Sequence, residues 1–164
     1  MRQLLGTASF GSFLIVCAMV AVGCGGGAPP MPSGIVPVTG TVTLDGEPVS
    51  GAIVTFVPVQ ITGGGGAGLG AASGMTDSTG KYSLIGYEGR ANGTLPGSYR
   101  VKISRLTRAD GSTVIPGPDD SPMQLLVSGA REQLPEKYSS DIRTSLVATV
   151  DPSGSPVDFK LFSK

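Results

Sequence analysis

Glycine and proline interrupt this chain so often that long helices are ruled out over most of it. They number 26 and 13 in 164 residues. Glycine breaks regular structure through its backbone freedom, proline through its fixed φ and missing N–H. After residue 34 no segment keeps a convincing apolar period of 3.6 residues. What recurs is a short alternating or β-branched run closed by a turn signal. Val38–Leu44 alternates, with Val42 and Leu44 on one face, and ends at Asp45-Gly46, a tight-turn pair. Ala52–Val57 is β-branched and closed by Pro58. Met75–Asp77 and Lys81–Leu84 flank Ser78-Thr79-Gly80 as a hairpin. Ser98–Ser104 puts Tyr99, Val101 and Ile103 toward a core and Arg100 and Lys102 toward water. Ser145–Val150 and Val157–Phe162 form a last pair across the turn-forming stretch Asp151–Ser155. About seven such strands predict an all-β, antiparallel sandwich over residues 36–164. Two long loops are expected, at 58–74 and 105–143. Within the second, Gln124–Val127 reads as a short strand or a turn of helix. Trp is absent and aromatics make up 5%, so the core falls to Val, Leu, Ile and a few Phe and Tyr.

The first 23 residues read differently. Arg2 is followed by an apolar run, Phe13–Val22, of signal-peptide length and too short to span a membrane. The run ends in Ala21-Val22-Gly23-Cys24, which resembles the lipobox of bacterial lipoproteins. That resemblance implies cleavage before Cys24 and lipidation of its thiol. Ala21 stands where Leu is usual. Residues 24–35, rich in Gly and Pro, predict an unfolded tether. Of the two cysteines, Cys17 falls in the leader, so Cys24 has no disulfide partner afterwards. The expected location is a membrane surface outside the cytoplasm. Gly25, rather than Asp, after the cysteine favours the outer membrane by analogy.

Charge and residue types exclude several functions. Lys plus Arg and Asp plus Glu balance at 12 each, without the basic footprint that nucleic-acid binding requires. His is absent, which removes Ser-His-Asp and Cys-His catalysis and ordinary zinc or copper sites. No catalytic, cofactor or metal residues are assigned, and no cofactor is expected.

Over residues 36–162 the run Val38-x-Gly40-x-Val42-x-Leu44-Asp45-Gly46-x-Pro48-Val49-x-Gly51-Ala52-x-Val54-x-Phe56 is similar to the opening of carboxypeptidase regulatory-like domains. Thr76-Asp77-x-x-Gly80-x-Tyr82-x-Leu84 and Leu95-Pro96-Gly97-x-Tyr99-x-Val101 fit the family's next strands. Leu134-Pro135-x-Lys137-Tyr138, Thr144-x-Leu146 and Asp158-Phe159-x-Leu161 resemble a subset found as small bacterial lipoproteins. The resemblance implies a transthyretin-like Greek-key sandwich and no activity. Similar modules serve as spacers, stalk units or carbohydrate-contacting domains.

The remaining motifs each carry a plainer reading. Gly63, Gly65 and Gly68 satisfy G-x-G-x-x-G, but no helix follows to receive a pyrophosphate, so a surface loop is expected. Asp77–Gly80 resembles half a calcium loop and reads as an Asx turn; Asp110, Asp119 and Asp120 read as solvated loop charges. Lys137 and Tyr138 read as packing, with Tyr138 closing an open edge of the sandwich. Tyr99 is expected to be buried with its hydroxyl on backbone. Asn92-Gly93-Thr94 reads as a turn. An internal Lys–Asn cross-link is excluded, since the first strand has no Lys and the last no Asn. The leading expectation is therefore a non-enzymatic, membrane-anchored envelope module. Its partners would be the membrane, through Cys24, and an envelope protein or glycan. The alternative is a carbohydrate- or peptide-binding domain, suggested by the length of 105–143 and by Tyr87 and Tyr138 as exposed rings.

Overall fold

A computed structural model describes residues 31–61, 70–117, 119–154 and 156–164. The elements in chain order are β1 (Thr39–Leu44), β2 (Glu47–Pro48), β3 (Ile53–Ile61), β4 (Ala72–Met75), β5 (Lys81–Ser83), β6 (Ile85–Gly86), β7 (Ala91–Asn92), β8 (Gly97–Ser104), β9 (Leu106–Thr107), β10 (Thr113–Val114), α1 (Pro122–Val127), β11 (Arg131–Glu132), α2 (Glu136–Ser139), β12 (Val147–Val150) and β13 (Phe159–Leu161). The protein is all-β in character. A six-stranded antiparallel sheet runs β12-β8-β3-β4-β6-β7; a second sheet runs β13-β1-β2, with β5 also pairing β1. The inward faces of both feed one core, so the arrangement is sandwich-like.

Alternation decides which side chains enter that core. In β8, Tyr99, Val101 and Ile103 are buried while Arg100 is exposed and Lys102 half-buried. Val54 and Phe56 of β3 and Val42 of β1 are fully buried. Four rings join the sheets. Phe56 lies 5.6 Å from Tyr99 on the same sheet, and 6.5 and 6.1 Å from Tyr82 and Phe159 opposite. Such pairs each add about 0.5–1.5 kcal/mol beyond the area they bury. Asp45 and Gly46 both have positive φ, at 51° and 93°, and close the β1–β2 hairpin as the sequence predicts.

Several expectations are corrected. The strand expected to stop before Pro58 continues to Ile61, with a bulge between Pro58 and Gln60. Proline is tolerated where a strand has a free edge or a bulge. Both hold here, because β4 ends opposite Phe56. The expected hairpin around Ser78–Gly80 is a tight turn, closed by Asp77 N–H to Lys81 O at 2.8 Å. Its arms join different sheets: β4 pairs β3, and β5 pairs β1.

The expected last pair is not a hairpin either. β12 lies beside β8, and the chain then crosses to the other sheet, where β13 runs parallel to β1. Asp158 fixes that crossing: its Oδ1 accepts from Thr41 N at 2.8 Å and Thr41 Oγ1 at 2.7 Å. Gly40 permits the close approach, since a Cβ there would overlap the Val157 carbonyl.

The expected loop 105–143 contains a three-stranded sheet, β10-β9-β11, and both helices. These elements are too short to show a period. The expected 58–74 loop is confined to the interval between β3 and β4, of which residues 62–69 lie outside the described residues.

Candidate functional site

Cys24, the residue given a specific chemical fate above, lies outside the described residues, as do Gly63, Gly65 and Gly68. The described fold takes hold at Val36, which exchanges backbone hydrogen bonds with Thr94 at 2.9 and 3.1 Å.

The acidic candidates are committed to turns. Asp77 Oδ1 accepts from Thr79 N at 2.8 Å, Thr79 Oγ1 at 2.7 Å and Lys81 N at 3.0 Å, the expected Asx turn. Those bonds, Thr79's first, hold its carboxyl below the usual range. Asp110 is held low by Ser112 and Asp151 by Ser153 in the same way. Asp120 Oδ2 accepts from Gly117 N at 2.7 Å. Held low in this way, Asp77, Asp110 and Asp151 stay ionised and are poor proton donors at neutral pH. Among the described residues no group of three or more His, Cys, Asp or Glu stands together to hold a metal.

The aromatic candidates separate. Tyr138 is buried in the common core and its hydroxyl accepts from Phe162 N at 3.1 Å. It packs as expected and, in correction of its other reading, offers no exposed ring. Lys137 Nζ lies 5.0 Å from the Tyr138 ring centroid and donates to Lys164 O at 2.9 Å. Tyr99 donates to Leu95 O at 2.6 Å, and its oxygen lies 2.9 Å from Thr94 Oγ1. Thr94, of the Asn92-Gly93-Thr94 stretch, is buried. Tyr87 is half-buried under the Arg90 guanidinium, 4.3 Å from its ring centroid. Tyr87 and Glu88 have φ of 52° and 55°, strained values for non-glycine residues.

Several surfaces among the described residues have the shape of binding regions. The outer face of the six-stranded sheet carries a groove of about 660 Å³ whose apolar wall includes Ile53, Met75, Ile85 and Ile115; the last three are 50%, 48% and 62% exposed. It continues past Lys102 into a cleft of about 490 Å³ reaching Leu125 and Ile142. Lys102 Nζ pairs with Asp141 at 2.8 Å where the two meet. A separate cavity of about 330 Å³ lies between the β1–β2 hairpin and Arg105, Gln133 and Leu134. Arg105 lines it, and its Nε is buried with no hydrogen-bond partner among the described residues.

The sequence reading missed Arg105 because it stood only as the first residue of a loop. It also left α1 open, although Ser121-Pro122-Met123-Gln124 carries the signal. Ser121 N donates to Gln124 Oε1 at 2.9 Å and Gln124 N to Ser121 Oγ at 3.2 Å, a reciprocal capping box with proline at the first helical position. No family model matches the chain, and neither a curated protein nor a solved structure matches it.

Proposed function

We propose that this chain is a lipid-anchored, non-enzymatic module of a bacterial cell envelope, held at a membrane through Cys24 and carrying a β-sandwich outward. The order of features carries this reading: an apolar leader, a small-residue stretch ending in Cys24, then Gly and Pro up to Val36. The roughly dozen residues between Cys24 and Val36 reach at most about 40 Å when extended, enough to hold a folded domain clear of lipid headgroups. Two or three acyl chains on one cysteine give stable anchoring at about 0.8 kcal/mol per buried CH₂.

The scaffold reading draws support from the absence of His and from carboxylates tied to backbone N–H groups in turns. The interaction role draws support from the exposed Met75, Ile85 and Ile115 on one sheet face, since clustered apolar surface marks contact sites. The partner class is an envelope protein or glycan. We assign the domain to the seven-stranded, Greek-key, transthyretin-like type of the carboxypeptidase regulatory-like family, on the order of its motifs from Val38 to Leu161.

The test is metabolic labelling with an alkynyl fatty acid during expression in a bacterium with lipoprotein processing. Wild type is expected to take up label and sediment with membranes. Cys24→Ala is expected to lose the label and leave the membrane fraction or stay unprocessed. Unlabelled wild type, or a Cys24→Ala chain that sediments like wild type, overturns the anchor.

A further inference from the structure

Most sheet edges in this fold are blunted. β2, β7, β10 and β11 are two residues long. β5 and β13 have three residues each and carry Lys81 and Lys160. Phe162 N, at the end of β13, is taken by the Tyr138 hydroxyl. Short strands and lysines are common means by which a sheet edge avoids pairing with another chain.

β12 is the exception. It ends the six-stranded sheet and pairs only with β8. The run Ser145-Leu146-Val147-Ala148-Thr149-Val150 holds no charge, proline or glycine. Val101 N donates to Leu146 O at 2.9 Å, so Leu146, Ala148 and Val150 turn their backbone groups toward β8. Val147 and Thr149 turn theirs the other way, where no backbone partner meets them among the described residues. Their side chains stand on the outer face, Val147 at 70% exposure. An apolar edge with free N–H and C=O groups is a template for another strand.

The flanking charges say which strand. Arg143 and Asp151 lie at equal distances in sequence before and after Val147, and both are exposed. Arg143 sits in the turn that precedes the strand and pairs there with Glu136 at 3.0 Å. That pair is open to water, with side chains 69% and 64% exposed, so it holds the guanidinium only weakly.

We propose that the free edge of β12 pairs antiparallel with β12 of a second copy, about a two-fold axis at Val147, joining two six-stranded sheets into one. A two-fold contact uses the same patch on both copies, so the patch must complement itself. This one does. With Val147 opposite Val147, Thr149 meets Ser145 of the other copy and Arg143 meets Asp151. Uncharged pairs fill the centre and an opposite-charge pair closes each end. A slip that brings Thr149 opposite Thr149 sets Val147 against Asp151 and loses both ion pairs. A foreign strand would satisfy the backbone equally well; the symmetric placement of charge is what favours a second copy. The pairing goes beyond the lipid anchor and does not depend on it. Val36 lies close to Gly154, past the end of β12, so the two tethers leave from opposite ends of the paired strands. A reach of about 40 Å lets both meet one membrane.

The test uses the full chain purified in detergent micelles, with single cysteines added on the outer face and mild oxidation. Hydrogen-bonded antiparallel neighbours have Cα atoms about 5.5 Å apart, within disulfide reach. Val147→Cys is expected to form a covalent dimer above the level of the parent chain, which controls for Cys24. Thr149→Cys is expected to form little with itself, since the two-fold sets those positions roughly 13 Å apart along the strand. Mixed with Ser145→Cys, it is expected to cross-link. Sedimentation in density-matched detergent then reads the protein mass. Wild type is expected as a dimer and Val147→Lys as a monomer; that side chain is exposed in a single copy, and an unchanged far-UV spectrum checks the fold. Arg143→Glu is expected to weaken association about tenfold, as two attractive end pairs become repulsive. A monomeric wild type returns the edge to a foreign strand and overturns the proposal. So does a Val147→Lys chain that stays dimeric, a Thr149→Cys chain that cross-links with itself as readily as Val147→Cys, or an Arg143→Glu chain that associates like wild type.

Discussion

The two-sheet core and the segment from Arg105 to Glu132 are held by different forces. In the core, long strands alternate cleanly and their inward residues pack around Phe56, Tyr82, Tyr99 and Phe159. In the segment, two-residue strands and one short helix are fastened by side chains bonded to backbone: Glu132 to Arg105 and Leu134, Asp120 to Gly117, Ser121 with Gln124. Apolar packing is additive over area and cooperative across the sheets. Polar fastenings are local, and each contributes about 0.5–1.5 kcal/mol, more where a charge takes part. The contrast teaches that the core, which takes in Leu134 and Tyr138, sets global stability, whereas the stretch from Arg105 to Glu132 can open at lower cost.

Substitutions break the comparison most directly. Phe56→Ala leaves a hole among four rings and is expected to cost about 3–5 kcal/mol in denaturant unfolding. Leu125→Ala in α1, where the side chain is half-buried, is expected to cost well under half of that. Equal losses from the two would show that the segment belongs to the same cooperative unit.

Glu132→Gln comes next. It removes the charge from the carboxylate that receives the N–H groups of Arg105 and Leu134 and is expected to cost about 1–2 kcal/mol. Hydrogen exchange should quicken in β9, β11 and at Leu134 while β3 and β8 keep their protection. Loss of protection across β8 as well would contradict local fastening.

The smallest effects are in pH. Burial pushes the Tyr82 hydroxyl, which donates to Val157 O at 2.7 Å, well above its ordinary value. A pKa raised by folding stabilises fully below the unfolded value, about 10, and that stability is lost as pH rises beyond it. Tyr82→Phe is therefore expected to flatten the alkaline fall in melting temperature. Asp77, Asp110 and Asp151 are held low by their turn hydroxyls and N–H groups. Their contribution is present above the ordinary carboxylate pKa, about 4, and fades as pH falls through the lower folded values. Asp77→Asn should shrink the acid fall slightly. If Tyr82→Phe altered the acid arm instead, the division between buried ring and surface turns would fail.

Much of the strand pattern was legible in the sequence. The run Tyr99-Arg100-Val101-Lys102-Ile103 announced β8 and its buried face, and Asp77-Ser78-Thr79-Gly80 announced an Asx turn. Pro58 misled because a proline bars a strand only where its missing N–H would face a partner, and the end of β4 removes that partner. Tyr138 was legible as a packing residue, yet its hydroxyl's bond to Phe162 N could not be told from a chain position 24 residues away. Arg105 gave no sign at all, since an orphaned nitrogen is a property of what surrounds it.

By itself the sequence determined an all-β chain, the positions of its turns and the inward residues of its main strands, because a period of two and local turn chemistry act over a few neighbours. Only the tertiary structure decided that β12 and β13 part company, that β13 runs parallel to β1, and that residues 105–143 fold into a small sheet with two helices. Alternation states which face of a strand is buried but not beside which strand it lies. That choice depends on contacts between residues far apart in the chain, such as Asp158 with Thr41.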